Sequence, residues 1–473
     1  MPLFRLIVFI VFFLTVVLMI GFTAAEYPPF LLLGSLMVVV VFVLTFLNTE
    51  VGLYILIFSM LLSPEIGVGA TGGATLGRGV TLRLDDFLLV IIGFSWFAKT
   101  AVHKDLGLFL KTPLNRPILY YMVACLVATG IGVMTERVEP KSGFFFVLKY
   151  FEYFIVFFMV ANHVETEQQL RRILWCLFLT CFIVSIIGMA QIPGGGRVSA
   201  PFEGESGEPN TFGGYLVLIG CVAFGVLSSV KDRKTRWMFV LLLIAIIPPL
   251  LYTRSRSSYL AALPAFFLFG ILSERRRFVI PLMVIALIVS PLFLPSAVKE
   301  RILYTISQPY NEQQIQVGDV RLDTSLSARL KSWREGLADW TKHPFIGYGI
   351  TGYGFIDAQY IRVLVESGIL GLSAFGYLLF AIFRLIRSTW EQVTEPLHRG
   401  LLKGFAVGFV GMIFHAIGAN TFIIVRIMEP FWLMAGLITV LPALEKAGEV
   451  VIGKSEAVSG QRFAYRQAMQ RYL

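Results

Sequence analysis

Arginines punctuate four polar stretches that separate long apolar runs: Arg78 and Arg83 in 69–84, Arg197 in 193–210, Arg254 and Arg256 in 253–257, and Arg321, Arg329 and Arg334 in 296–358. Lysine is much rarer there. A guanidinium offers a planar, bidentate donor fork that suits phosphate, so one chemistry open to these stretches is capture of a phosphate-bearing ligand. The other reading is that the arginines snorkel to lipid headgroups. One carboxylate stands where it can act beside them: Asp357, ahead of Tyr360, Arg362, Glu366 and Gly368. It reads either as a general base or as the N-cap of the helix that follows. Arg362 and Glu366 are four apart and spaced to pair across one turn.

The longest of these stretches, 296–358, contains a helix of its own. Asp323-Thr324-Ser325 supplies N-cap candidates. Leu326, Leu330, Trp333, Leu337 and Trp340 then recur at spacings of three and four, which predicts an apolar stripe. Arg329 and Trp333 share a face. His343-Pro344 ends the helix, because proline disfavours helix at the residue before it. By pattern alone this is an amphipathic helix lying on the membrane surface. Gly347 to Gly354 contains a G-x-G-x-x-G, but no strand or βαβ unit precedes it, which excludes a dinucleotide site and leaves a tight turn. The Gly/Pro-rich stretch from Gly194 to Asn210 is a loop, with Asn210 placed to cap the next helix.

The elements that hold these stretches are membrane helices. Of 473 residues, 56% are apolar and only 15% charged, against about 45–50% and 25% in soluble domains. A span needs about 20 apolar residues. The apolar runs are continuous, which excludes a soluble enzyme, a disordered chain and the alternating strands of a β-barrel. About fourteen transmembrane helices are predicted, near 6–25, 29–48, 51–68, 85–102, 116–135, 144–163, 171–192, 211–230, 237–252, 258–273, 278–295, 359–384, 401–419 and 427–444. The first is read as a retained helix rather than a signal peptide, because its apolar core exceeds the usual 7–15 residues.

Fourteen spans put both termini on one side. With that side cytoplasmic, the inner connections hold Lys99, Arg171, Arg172, the Lys231–Arg236 cluster, Arg275 to Arg277, Arg384 and Arg387. This satisfies the positive-inside rule, so most of the net charge of +10 is a topology signal and nucleic acid is excluded as a partner. The four arginine stretches break the rule on the outer face. Three regions follow: an N-terminal transmembrane bundle (1–192), a transmembrane core (193–444) including the outer loop 296–358, and a basic cytoplasmic tail (445–473).

Within the spans, Lys149 and Glu152 are read as a structural pair and His415 as a satisfied core histidine. Cys125, Cys176, Cys181 and Cys221 lie in apolar runs without zinc spacing, so they are packing residues and no metal or cofactor is expected.

The stretch from Arg329 through Trp333, His343-Pro344 and Gly347-Tyr348-Gly349 resembles the signature of the O-antigen ligase and polymerase superfamily. Asp357 to Leu372, with Glu366-Ser-Gly368, is similar to the second half of that signature. Thr253-Arg-Ser-Arg256 resembles its Ser-Arg element, and Arg197 to Asn210 its Arg…Phe…Pro-Asn element. The resemblance covers roughly 197–372. It implies an all-α, polytopic, GT-C-like glycosyltransferase of the bacterial inner membrane, working on the periplasmic face without metal or cofactor. The implied donor is an undecaprenyl-diphosphate-linked glycan, and the implied acceptor a second glycan or a glycolipid. Membrane lipids and other polysaccharide assembly proteins are the remaining implied partners. Arg197, Arg256 and Arg329 would hold the diphosphate and Asp357 would be catalytic, with Arg254, Trp333, His343, Tyr360 and Glu366 supporting. Ligases carry His where this chain has Asp357, often followed by Asn or Ser where it has Ala358. That departure favours a polymerase-like reaction over transfer to lipid A-core. A transporter or flippase of lipid-linked glycans and a non-catalytic scaffold are the competing readings. A transporter would show interrupted mid-membrane helices and two related halves, and no internal repeat is visible.

Overall fold

The computed structural model describes residues 29–66, 82–102, 111–203, 207–273, 276–312, 314–317 and 320–453. The predicted first helix, Arg78, Arg275 and most of the basic tail lie outside these residues. The described chain forms fifteen helices: α1 (Pro29–Leu47), α2 (Thr49–Leu62), α3 (Leu84–Val102), α4 (Asn115–Met134), α5 (Pro140–His163), α6 (Glu167–Gln191), α7 (Pro209–Ser229), α8 (Arg233–Tyr252), α9 (Arg256–Ile271), α10 (Arg276–Phe293), α11 (Ser296–Ser307), α12 (Thr324–Trp340), α13 (Gln359–Gln392), α14 (Pro396–Gly418) and α15 (Val425–Gly453). Two antiparallel ladders of two residues per strand, Glu65–Ile66 with Leu82–Arg83 and Gln316–Val317 with Val320–Arg321, are the strands among the described residues.

Eight of these helices are long and apolar enough to cross a membrane, and nine if the bent pair α10–α11 is one span. The protein is an all-helical, polytopic membrane protein. Helix boundaries follow local chemistry. Thr166 and Gln169 form a reciprocal capping box at the start of α6. Pro140, Pro209 and Pro396 occupy first-turn positions, where the missing N–H has no helical partner to lose. Helix α2 stops at Leu62, short of the predicted 68, before Ser63-Pro64.

Helix α15 runs through the middle of the bundle. Ile427, Met428, Phe431, Leu433, Met434 and Leu437 are fully buried, which suits a helix apolar on every side. The tightest crossing is α7 on α14. A Cβ on Gly225 would sit 2.4 Å from the Gly400 carbonyl oxygen, and one on Gly404 would sit 2.6 Å from Val222 Cα. Only glycine lets the two backbones approach this closely.

Lys149 and Glu152, expected to pair with each other, both belong to a larger group of charges within the bundle. Lys149 Nζ lies 3.8 Å from Asp86 Oδ2 on α3. Glu152, Asp85, Asp86 and Glu429 cluster there with Arg83 and Arg426. Arg83, one of the arginines expected to face a ligand, is instead buried in this cluster. Arg426 is fully buried and donates to Glu203 Oε1 (3.1 Å) and to the carbonyls of Pro201 (3.1 Å) and Ser63 (3.2 Å).

Candidate active site

Three short sequence elements build one end of the bundle. The turn between α8 and α9 is Thr253-Arg254-Ser255, with Arg254 at φ +48°. Ser255 caps α9 by accepting from Ser258 N (3.2 Å), and this places Arg256 in the first turn. Asp323 caps α12 by accepting from Leu326 N (2.8 Å), as the sequence predicted, and α12 carries Arg329 two turns later. Asp357 precedes α13.

The carboxylate of Asp357 does not cap α13. Ala358 holds the N-cap position, without a side-chain hydrogen bond. Asp357 Oδ2 instead accepts from Arg329 Nη2 at 2.5 Å. Both groups keep some solvent access, at 18% for Arg329 and 28% for Asp357. Arg256 is held in the same manner, donating to Asp323 Oδ2 (2.7 Å) and to Thr305 Oγ1 (3.1 Å). Asn210 likewise does not cap α7. Glu208 stands at that N-cap, and Asn210 Oδ1 accepts from Ser255 Oγ at 2.7 Å.

The arginines form a continuous band. Arg197 lies within electrostatic reach of Arg254, Arg256 and Arg301, and Arg256 within reach of Arg301 and Arg329. Burial, with Arg301 the strongest of these neighbours, pushes the Arg197 guanidinium down to about 10. Arg197 Nε donates to the Thr253 carbonyl (2.9 Å), and Arg254 Nη2 to the Gly195 carbonyl (3.1 Å). The loop after α6 and the α8–α9 turn are thus tied together. Arg301 was missed in the sequence, although it lies inside the stretch 296–358 that drew attention. Its signal there was weak, a lone arginine in the run Lys299-Glu300-Arg301.

The remaining predicted residues support this end of the bundle without joining the band. Trp333 packs with Trp340, Tyr348, Tyr353 and Ile361 around buried Ile356, Ala358 and Val365. Helix α12 therefore packs its tryptophans on the start of α13. Leu337, counted in the predicted apolar stripe, is 41% exposed. His343 stacks edge-on against Tyr348 (4.8 Å). Tyr360 donates to the Ile413 carbonyl (2.7 Å), tying α13 to α14. Glu366 pairs with Arg362 as the spacing predicted (3.1 Å) and also accepts from Thr351 N (3.3 Å). Arg321 lies over the Tyr310 ring, and Arg334 is exposed.

The glycine run is a structural brace. Tyr348 N and Gly349 N donate to the carbonyls of Val365 (3.0 Å) and Glu366 (2.8 Å). Helix α13 breaks its helical geometry at Gly368, with φ +66°. Behind the site, His415 is satisfied on both ring nitrogens, by Ser258 Oγ (3.3 Å) and Thr421 Oγ1 (2.7 Å). It is a core residue, as expected. No group of His, Cys, Asp and Glu with metal-holding geometry occurs among the described residues.

The fold and the site together make a helical membrane bundle that carries a band of arginines and two acidic partners at one end. Residues 242–376 match the O-Antigen ligase family model. The match runs from α8 into α13 and holds Arg254, Arg256, Arg301, Asp323, Arg329 and Asp357, while Arg197 lies outside it. It supports the O-antigen ligase and polymerase superfamily and, in general terms, a function of that type with lipid-linked glycan substrates. No curated protein matches the chain.

Proposed function

We propose that the protein is an inverting, metal-independent glycosyltransferase that joins lipid-diphosphate-linked oligosaccharide units on the periplasmic face of the bacterial inner membrane. The observation that carries this reading is the contact between Arg329 Nη2 and Asp357 Oδ2, at one end of an arginine band. A candidate base and a candidate diphosphate clamp lie side by side, partly exposed.

In this mechanism the donor diphosphate, carried on undecaprenol, lies against Arg256 and Arg329. Negative charge grows on the diphosphate as the bond from sugar C1 to the phosphate oxygen breaks. Guanidiniums in a partly dehydrated site stabilise that charge, and losing one such donor costs about 10²–10³ in rate. Asp357 accepts the proton of the acceptor hydroxyl, which attacks C1 from the opposite face and inverts it. General-base help of this kind contributes about 10²–10⁴. The hydroxyl oxygen forms the new glycosidic bond, and the diphosphate leaves on its lipid. Asp357 in place of the ligase histidine favours a polymerase-like reaction over transfer to lipid A-core.

The test is incubation of purified protein with lipid-linked repeat units, read as glycan length on a gel. Longer chains support the reading. Units of unchanged length that cross a vesicle bilayer would instead identify a flippase, and no change in either assay would leave the scaffold reading.

A further inference from the structure

A crevice of about 580 Å³ opens between the start of α4 and the last turns of α13, with Lys111, Arg116, Tyr377, Arg384 and Ser388 in its lining. It lies at the end of the bundle opposite to the arginine band. A Cβ on Gly132, in the last turn of α4, would sit 2.8 Å from the Tyr348 carbonyl oxygen, so that end of α4 belongs to the candidate active site. Arg116 stands sixteen residues earlier, about 24 Å away along the helix. Arg384 marks the same boundary on α13, since residues 367–383 carry no charge. The crevice therefore sits where both helices leave the apolar layer.

Its charge is one-sided. Among the described residues three cations line it and no carboxylate does. Elsewhere at this end cations have acids beside them: Arg171 pairs with Glu167, Arg172 with Glu50 and Arg387 with Glu391, and the Lys231–Arg236 cluster contains Asp232. Toward the middle of the bundle, the next turn of each helix is apolar and exposed: Leu119, three residues after Arg116, and Phe380, four before Arg384. Tyr120 and Tyr377 stack across the two helices there (6.1 Å).

We propose that this crevice holds one anionic phospholipid of the leaflet opposite to the arginine band. Its phosphate lies between the guanidiniums of Arg116 and Arg384, whose planar forks match phosphate oxygens, and Lys111 adds a point charge. A basic pocket between membrane helices is the recognised setting for such a headgroup. A zwitterionic headgroup would bring an ammonium for which the crevice has no carboxylate, so the net-negative class fits. The acyl chains lie over Leu119 and Phe380, apolar surface that a soluble phosphate would leave bare. The site stands apart from the chemistry proposed at the other end and does not depend on it.

The test uses full-length protein with Ser388→Cys, labelled there with a fluorophore and placed in phosphatidylcholine discs. Ser388 lines the crevice, whereas the four native cysteines lie inside spanning helices. Phosphatidylglycerol brominated on its acyl chains should quench the label at about a tenth of the mole fraction that brominated phosphatidylcholine requires. The label sits a helix length from the arginine band, so lipid held at the band does not quench it. With Arg116→Gln and Arg384→Gln together, the two lipids should quench alike. If that variant does not fold, Lys111→Gln should narrow the gap between them. Equal quenching by the two lipids with all three cations present overturns the inference, and so does a gap that survives the loss of both arginines. Relief of the quenching by glycerol phosphate in solution would show that the crevice takes a soluble anion, and would overturn it as well.

Discussion

Asp323 holds Arg256 with one carboxylate oxygen and caps helix α12 with the other: Oδ2 accepts from Arg256 Nη1 at 2.7 Å, and Oδ1 from Leu326 N at 2.8 Å. One buried side chain therefore ties the α8–α9 turn to the helix that carries Arg329. The two roles separate by substitution. Asp323→Ser keeps a good N-cap and gives up the arginine. It should melt close to wild type, while glycan transfer falls by up to about 10²-fold, the cost of a reacting group displaced by about an ångström. Asp323→Ala should lose about 1 kcal/mol of stability in addition.

Asp357→Asn removes both the proposed base and the counter-charge of Arg329. Transfer should fall by about 10²–10⁴-fold. Pyrophosphate affinity should rise, because Arg329 no longer has a carboxylate to release. Binding and turnover would thus move in opposite directions, which a merely unfolded variant cannot do. Full transfer by a well-folded Asp357→Asn protein removes Asp357 from the chemistry.

Gly368→Ala should destabilise α13. An added Cβ would lie 2.2 Å from the Phe345 carbonyl oxygen, at a backbone angle of φ +66°. The conformational strain alone is worth about 1–3 kcal/mol. A fluorescence-detected melt reads this directly. The same loss should appear in glycan transfer, since the glycine run braces the helix that Asp357 immediately precedes.

Arg426→Met should cost about 3–5 kcal/mol, because it strands Glu203 in the protein interior without its cation. Lys331→Ala is the contrast. Its pair with Glu335 is 4.0 Å long and largely exposed, so its loss should change stability by at most about 0.5 kcal/mol. Equal effects from the two substitutions would show that Arg426 is solvated in the folded protein.

Much of the site was legible before folding because it depends on local rules. Asp323 as a cap, Arg362 with Glu366 across one turn, and the end of α12 before Pro344 all follow from contacts within four residues. His415 as a core residue was readable from its apolar surroundings. Roles that local spacing left open or misplaced depend on contacts across the chain. Asp357 and Asn210 have the right side chains and positions for caps, yet each found a stronger partner elsewhere: Arg329, 28 residues away, and Ser255, 45 residues away. At Asp357 and Asn210 the side chain is turned to the donor from the other element and leaves the helix N–H groups uncapped, whereas Asp323 serves both kinds of donor at once. Nothing in the local sequence records where that donor will be.

The same division holds for charge and hydropathy. An apolar content of 56% in continuous runs is enough to require membrane helices, because burial of apolar surface depends on composition and run length alone. Arginine chemistry was likewise readable from residue type. Which arginines would stand together was not. Arg83 went to a buried carboxylate cluster, Arg321 to the face of Tyr310, and Arg301 joined Arg197, Arg254, Arg256 and Arg329. Electrostatic interaction falls with distance through space and takes no account of distance along the chain. Only the tertiary fold could decide which of these charges meet.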